Sequence, residues 1–122
     1  MTELEQNSLA NFERTLADLG SDARQRRFKE CVPFVHVPIE LAEQCAGYAR
    51  LLGVDWYRAL FDTDEIDALG AFLARVCGYV QREPVADVDE GVLEDPAWRE
   101  VMTAARSLHS RLAASGRIAP PT

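Results

Sequence analysis

The sequence predicts an all-α protein: a compact bundle of five to six amphipathic helices with no significant sheet. Two observations lead to this fold class. Apolar residues recur at three- and four-residue spacing in several segments, and capping residues or Pro begin these segments while Gly or Pro ends them. At 122 residues, with 48% hydrophobic and 27% charged residues, the chain suits one domain with its own core. We expect this domain over residues 1–114 and a disordered tail over 115–122.

Three helices are predicted in the first half of the chain. The first covers about residues 3–19, ends at Gly20, and carries one apolar face formed by Leu9, Phe12, Leu16 and Leu19. The second covers about 22–31 and contains the one basic run, RQRRFK, which we expect to pair with the protein's own acidic surfaces. The segment VPFVHVP is then extended because of its two prolines, and Pro38 begins a third helix that reaches about residue 52.

The second half of the chain predicts a short helix over DWYRALF and two long ones. Asp62 or Thr63 caps the stronger long helix, whose apolar stripe is Ile66, Leu69, Leu73, Val76 and Val80. Gly70 and Gly78 lower helix propensity, so a close helix crossing is expected at one of them. After an acidic connection, Asp95 and Pro96 begin the last helix, which runs to about residue 114.

The acidic connection, VADVDEGVLEDP at residues 85–96, holds five carboxylates and no cation: Asp87, Asp89, Glu90, Glu94 and Asp95. It is not an EF-hand, because a register that begins at Asp87 places Val92 at the turn glycine and Trp98 at the bidentate glutamate. About a dozen residues is long for a connection within a helical bundle. The segment is therefore either a binding surface for a basic partner or a solvated connection that aids solubility.

A second acidic group lies at the start of the strongest helix: Asp62, Asp64, Glu65 and Asp67. Negative side chains at a helix N-terminus are favoured by the helix dipole without any partner. If both acidic segments lay at one end of the bundle, they would form a single negative surface, whereas antiparallel neighbours would separate them. Residues 62–95 carry ten carboxylates and two arginines, and the whole chain has a net charge of −7. This distribution favours a basic protein partner and disfavours nucleic acid.

Trp56 and Tyr57 are the candidate apolar anchors for a partner. On a helix, adjacent residues point about 100° apart, so a short helix does not easily bury both against one core. One of the two rings is then exposed for binding, or both pack between neighbouring helices.

Two other functions are open at this stage. Residues 45–61 have the small-residue and turn-glycine pattern of a helix-turn-helix DNA-binding motif, although the second helix offers one arginine and several carboxylates. Cys31, His36 and Cys45 form the one close thiol–imidazole group, but their spacing matches no zinc pair and Cys45 falls on an apolar stripe. No catalytic constellation accompanies Cys31 and His36. We therefore expect neither an enzyme nor a metal or cofactor site.

Taken together, these features predict a stoichiometric protein-binding module that masks a basic partner with its acidic surface. The finer expectation is an inhibitor of the class of bacterial immunity proteins and antitoxins. No apolar run is long enough to span a membrane, and the polar start MTELEQNSLANFER lacks the blocks of a signal peptide. We expect the protein to be cytoplasmic.

Overall fold

The computed structural model describes residues 1–82 and 84–118, and this part of the chain contains helices and no strand. The predicted all-α bundle is confirmed. The α-helices are α1 (Glu3–Leu19), α2 (Asp22–Cys31), α3 (Val37–Leu51), α4 (Asp55–Arg58), α5 (Thr63–Val80) and α6 (Pro96–Ala114). Two short 3-10 helices, Val88–Glu90 and Val92–Glu94, lie between α5 and α6. None of the helices in the described ranges is both long and apolar enough to cross a lipid bilayer.

The helices begin where side chains cap them. Ser21 accepts a hydrogen bond from the Arg24 amide at the start of α2. Asp62 and Glu65 form a reciprocal capping box at the start of α5, and each of its two bonds measures 2.8 Å. Asp95 caps α6, with Pro96 in the first turn. These capping bonds satisfy amides that have no partner within a helix, so the sequence sets these helix starts locally.

The long helices pack antiparallel around one core. The Cys77 thiol near the end of α5 lies 3.8 Å from the Ala42 carbonyl near the start of α3. Likewise, α1 and α6 pair in opposite directions, since Glu13 in α1 bonds to His109 in α6 and Gly20 bonds to Arg106. The largest fully buried apolar side chains are Trp98, Tyr57, Phe12, Leu16, Leu19, Leu41, Leu69, Leu73, Met102 and Leu112.

Gln25 is a fully buried polar residue at the junction of α1, α2 and α6. Its amide nitrogen donates to the carbonyls of Asp18 and Leu19, at 3.1 and 3.0 Å, at the end of α1. Its amide oxygen accepts from the Trp98 indole N–H at 3.0 Å. A buried amide without such partners would be costly, so this network selects one arrangement of the three helices.

The prediction of a close helix crossing at Gly70 or Gly78 in α5 is wrong. A Cβ added at Gly70 or Gly78 would meet nothing within 4 Å, so neither glycine lies at a helix crossing. The close approach occurs at Gly20, where a Cβ would lie 2.8 Å from the Arg106 Cγ. The backbone of Gly20 is right-handed, with φ −86°, so the glycine is required by space and not by conformation.

The expectation of a disordered tail from residue 115 does not hold for residues 115–118. Ser115 and Arg117 bond to Glu65 in α5, and the Ile118 side chain is buried. Gly116 adopts a left-handed conformation with φ 77°, which turns the chain back after α6. Residues 119–122 lie outside the described part of the chain.

Candidate functional site

The acidic connection is folded onto the bundle. Its two 3-10 helices are joined at Gly91, whose φ of 95° lies in the left-handed region that favours glycine. The side chains of Val88, Val92 and Leu93 are buried in the core. The apolar residues among the carboxylates therefore anchor the segment to the bundle.

Asp87 is buried, with 5% of its surface exposed. Its carboxylate accepts hydrogen bonds from the Lys29 ammonium at 2.7 Å, the Val88 amide at 2.7 Å and the Val37 amide at 3.1 Å. Burial alone raises the pKa of a carboxyl group, but these three donors outweigh it and hold the Asp87 pKa below its usual range. The Asp87 oxygens are therefore occupied inside the fold, which argues against the predicted contact of Asp87 with a partner.

Lys29 clamps the turn that follows α2. Its ammonium donates to the Pro33 carbonyl at 2.7 Å and the Val35 carbonyl at 2.9 Å, in addition to Asp87. Three acceptors match the three N–H donors of an ammonium group. The hydrogen bond to Asp87 is the main reason that the Lys29 pKa is raised. The turn over residues 32–36 is thereby fixed to both α2 and the acidic connection.

His36 joins the same two segments from the other side. Its Nδ1 accepts from the Ile39 amide at 3.2 Å and so caps α3. Nε2 therefore carries the proton and donates to the Val85 carbonyl at 2.9 Å. With both ring nitrogens occupied, His36 has a structural role. Within residues 1–82 and 84–118, no group of three His, Cys, Asp or Glu side chains is placed to hold a metal ion, Cys31 and His36 included.

Phe34 projects from the middle of the clamped turn with 88% of its surface exposed. Next to it, Pro33 lines a shallow depression together with Val88 and Asp89 of the acidic connection and Arg26 of α2. Sequence reasoning missed Phe34, because an apolar residue between two prolines gives no sign of its exposure. The extended segment predicted from the two prolines is also wrong, because residues 32–35 form a turn in which the Val35 amide donates to the Val32 carbonyl at 3.1 Å.

Three carboxylates of the acidic connection are exposed, Asp89, Glu90 and Glu94, and Asp89 lines the depression next to Pro33. Glu90 also accepts from the Asp87 amide at 2.9 Å, and Glu94 lies 3.9 Å from the Arg26 guanidinium. Asp95 is only half-buried, but it caps α6 and accepts from the Tyr79 hydroxyl, which lowers the Asp95 pKa. We call Pro33, Phe34, Asp89, Glu90 and Glu94 the Phe34 surface.

The second acidic group lies at the opposite end of α5. Since α5 has 18 residues, its ends are about 26 Å apart, and the two acidic segments do not merge. Glu65 is 2% exposed and accepts from the Ser115 hydroxyl at 2.7 Å and the Arg117 guanidinium at 3.0 Å. Asp62 is used as the helix cap. Asp64 and Asp67 remain exposed and available for binding.

The two candidate aromatic anchors differ in exposure. Tyr57 is 1% exposed, and its ring packs edge-on against Phe61 with the centroids 5.5 Å apart. Its hydroxyl has no hydrogen-bond partner in residues 1–82 and 84–118. Trp56 is half-buried and packs against the core. Tyr57 is therefore not a surface anchor, and of the two rings only Trp56 reaches the surface.

The geometry gives little support to a helix-turn-helix at residues 45–61. The segment that would read DNA, α4, is only four residues long. Its single arginine, Arg58, donates to the Leu52 carbonyl at 2.9 Å. A recognition helix must place several donor side chains in the major groove, and α4 offers one.

Comparisons of the chain with protein-family models, with curated proteins and with solved structures find no match.

Proposed function

We propose that the chain is a stoichiometric protein-binding module whose partner docks on the Phe34 surface. The observation that carries this proposal is the exposed ring of Phe34 on a turn whose backbone is bound by Lys29. When a partner covers a large apolar side chain, the removal of that surface from water stabilises the complex. Because the turn is already ordered, it loses little conformational entropy when the partner binds. This favours Phe34 as an anchor residue of the interface.

The charges around Phe34 define the partner's chemistry. Asp89 lines the depression beside Pro33 together with Arg26 and Lys29, and the exposed Glu94 lies 3.9 Å from the Arg26 guanidinium. Glu90 is the third exposed carboxylate of the connection. Carboxylates at the rim of an interface steer a positively charged partner and raise the association rate. The partner we propose is a basic protein with an apolar pocket for the Phe34 ring, bordered by Lys or Arg side chains.

The finer proposal is that binding inhibits the partner, as an immunity protein or antitoxin does. A preorganised apolar anchor with an acidic rim is suited to covering a basic functional site. Nucleic-acid-binding and nucleolytic proteins have such sites, because they must neutralise phosphates. An inhibitor of this kind would bind in a one-to-one complex and compete with the partner's own anionic ligand.

Affinity capture from the native lysate tests the proposal. The unaltered chain would be compared with Phe34→Ser and with the double variant Asp89→Asn, Glu94→Gln. Two matched controls are Leu4→Ser, which alters another exposed apolar side chain, and Asp64→Asn with Asp67→Asn at the far end of α5. We expect a basic protein to be captured in equal amount by the unaltered chain and the controls. The Phe34→Ser variant should not capture this protein.

The charge variant should retain less of that protein as the salt concentration rises, because rim charges act through screened electrostatics. Equal capture by Phe34→Ser and the unaltered chain would show that the partner binds elsewhere. Loss only in the variant of Asp64 and Asp67 would move the interface to the start of α5.

A further inference from the structure

A cleft of about 310 Å³ lies between α1 and α6, away from the Phe34 surface. Leu16 and Ala17 of α1 form its apolar floor, and Arg24 of α2 and Arg106 of α6 line it. This volume is at the lower end of the range of ligand pockets, about 300–1,000 Å³. The cleft therefore has room for a small molecule with both an apolar part and a charged group.

The two arginines are held at the cleft by bonds that leave other donors free. The Nε of Arg24 donates to Asp18 at 2.8 Å, and its two terminal nitrogens have no partner in residues 1–82 and 84–118. Arg106 donates to the Gly20 carbonyl at 2.7 Å and to the Thr103 hydroxyl at 3.1 Å. Its Nε has no partner in the same ranges. Both side chains thus keep N–H donors while their positions are restricted.

The one carboxylate that lines the cleft is already engaged. Glu13 accepts from the Nε2 of His109 at 2.9 Å, and His109 is 6% exposed. This bond holds the Glu13 carboxylate against α6, and the attraction for an anion comes from the arginines, Arg24 and Arg106. Gly20 completes the arrangement, since its missing side chain lets the Arg106 stem cross the end of α1.

We propose that this cleft binds a small organic oxyanion, a carboxylate or phosphate group with a short apolar chain. The planar guanidinium presents paired N–H donors that match such a head group. The apolar chain would cover Leu16 and Ala17. This inference is independent of the proposed protein partner, because it concerns a different face of the bundle and different residues.

Titration with butanoate and with butyl phosphate at constant ionic strength tests it. The readouts are the backbone amides of α1 and α6 and the Nε–H signals of the arginines, followed by NMR. We expect saturable shifts confined to the cleft with at least one probe. Saturation with butyl phosphate alone would assign a phosphate ligand, and saturation with butanoate would assign a carboxylate; either result supports the oxyanion site.

Three variants and a control complete the experiment. Arg24→Gln and Arg106→Gln should each weaken binding about tenfold, the loss expected for one charge-assisted hydrogen bond. Ala17→Leu should also weaken it by filling the floor without a change of charge. Arg50→Gln, an exposed arginine outside the cleft, should leave the affinity unchanged. Linear shifts with both probes, or equal affinity in all variants, would overturn the proposal.

Discussion

Lys29 and Asp87 form an ion pair across 58 residues of sequence, with Nζ and Oδ2 2.7 Å apart and both side chains largely buried. The pair joins α2 to the acidic connection, and the same ammonium fixes the turn that carries Phe34. The position of the exposed ring therefore depends on a buried carboxylate that never reaches the surface.

Asp87→Ala should destabilise the fold by about 2–4 kcal/mol, because the Lys29 ammonium and two backbone amides would lose their acceptor. Urea unfolding followed by tryptophan fluorescence measures the change. Asp89→Ala is the matched control, and this exposed position should change the free energy of unfolding by less than about 0.5 kcal/mol. Similar small losses for both variants would show that the pair contributes little.

The unfolding free energy should decrease in acid. The pKa values of Asp87, Glu65 and Asp95 all lie below their usual range in the folded chain. As pH falls below about 5, the unfolded chain takes up protons at these groups before the folded chain does, so stability is lost towards lower pH. Urea midpoints measured from pH 7 to pH 3 would follow this loss. Asp87→Asn should start from a lower stability and show a shallower decline; an unchanged slope would contradict the role of Asp87.

Because of Tyr79, the free energy of unfolding should also decrease at alkaline pH. Burial, followed by its hydrogen bond to Asp95, raises the pKa of Tyr79 to about 12. The neutral hydroxyl is the required donor, so its contribution is complete below the unfolded value of about 10 and disappears as pH rises through 12. Unfolding midpoints between pH 8 and pH 12 test this. Tyr79→Phe should flatten the decline only in part, because the raised pKa of Lys29 acts in the same direction.

Gln25→Leu tests the buried network of α1, α2 and α6. The substitution leaves the Trp98 indole N–H and the Leu19 carbonyl without the partner that Gln25 provides, whereas the Asp18 carbonyl still accepts from the Ser21 amide. We expect a loss of about 2–4 kcal/mol in the free energy of unfolding, since each buried polar group costs about 1–3 kcal/mol when unsatisfied. Gln81→Leu is the control, because Gln81 is exposed. If Gln25→Leu left the free energy of unfolding unchanged, the helices would have repacked around the leucine.

Much of the fold is predictable because its signals are local. Apolar spacing and caps place the five longer helices close to their observed bounds, and the start of α5 is set by two residues three positions apart, Asp62 and Glu65. The fourth helix is shorter than the predicted DWYRALF segment, since only Asp55–Arg58 is α-helical. Tertiary packing decides such short segments, and one turn of sequence carries little information about it.

The candidate site is less predictable because its partners are distant. Asp87 and Glu65 look like surface carboxylates in the sequence, yet Lys29 and Arg117 lie 58 and 52 residues away from them. No local pattern distinguishes a carboxylate that will be buried with a cation from one that will be solvated. The exposure of Phe34 is hidden for a similar reason, because it follows from the clamp that Lys29 makes.

Substitution of glycine by alanine should stabilise the protein at two positions of the bundle and destabilise it at a third. Gly78→Ala and Gly70→Ala should each stabilise the protein by about 0.5–1 kcal/mol, because alanine favours α5 and its methyl group would meet nothing. Gly20→Ala should instead cost about 1–3 kcal/mol, since the added carbon would lie 2.8 Å from the Arg106 Cγ and the stem would have to move. Thermal unfolding of the three variants measures all of these changes. A destabilising Gly78→Ala would indicate that α5 packs against a second chain at that face, while a neutral Gly20→Ala would show that Arg106 is free to leave the cleft.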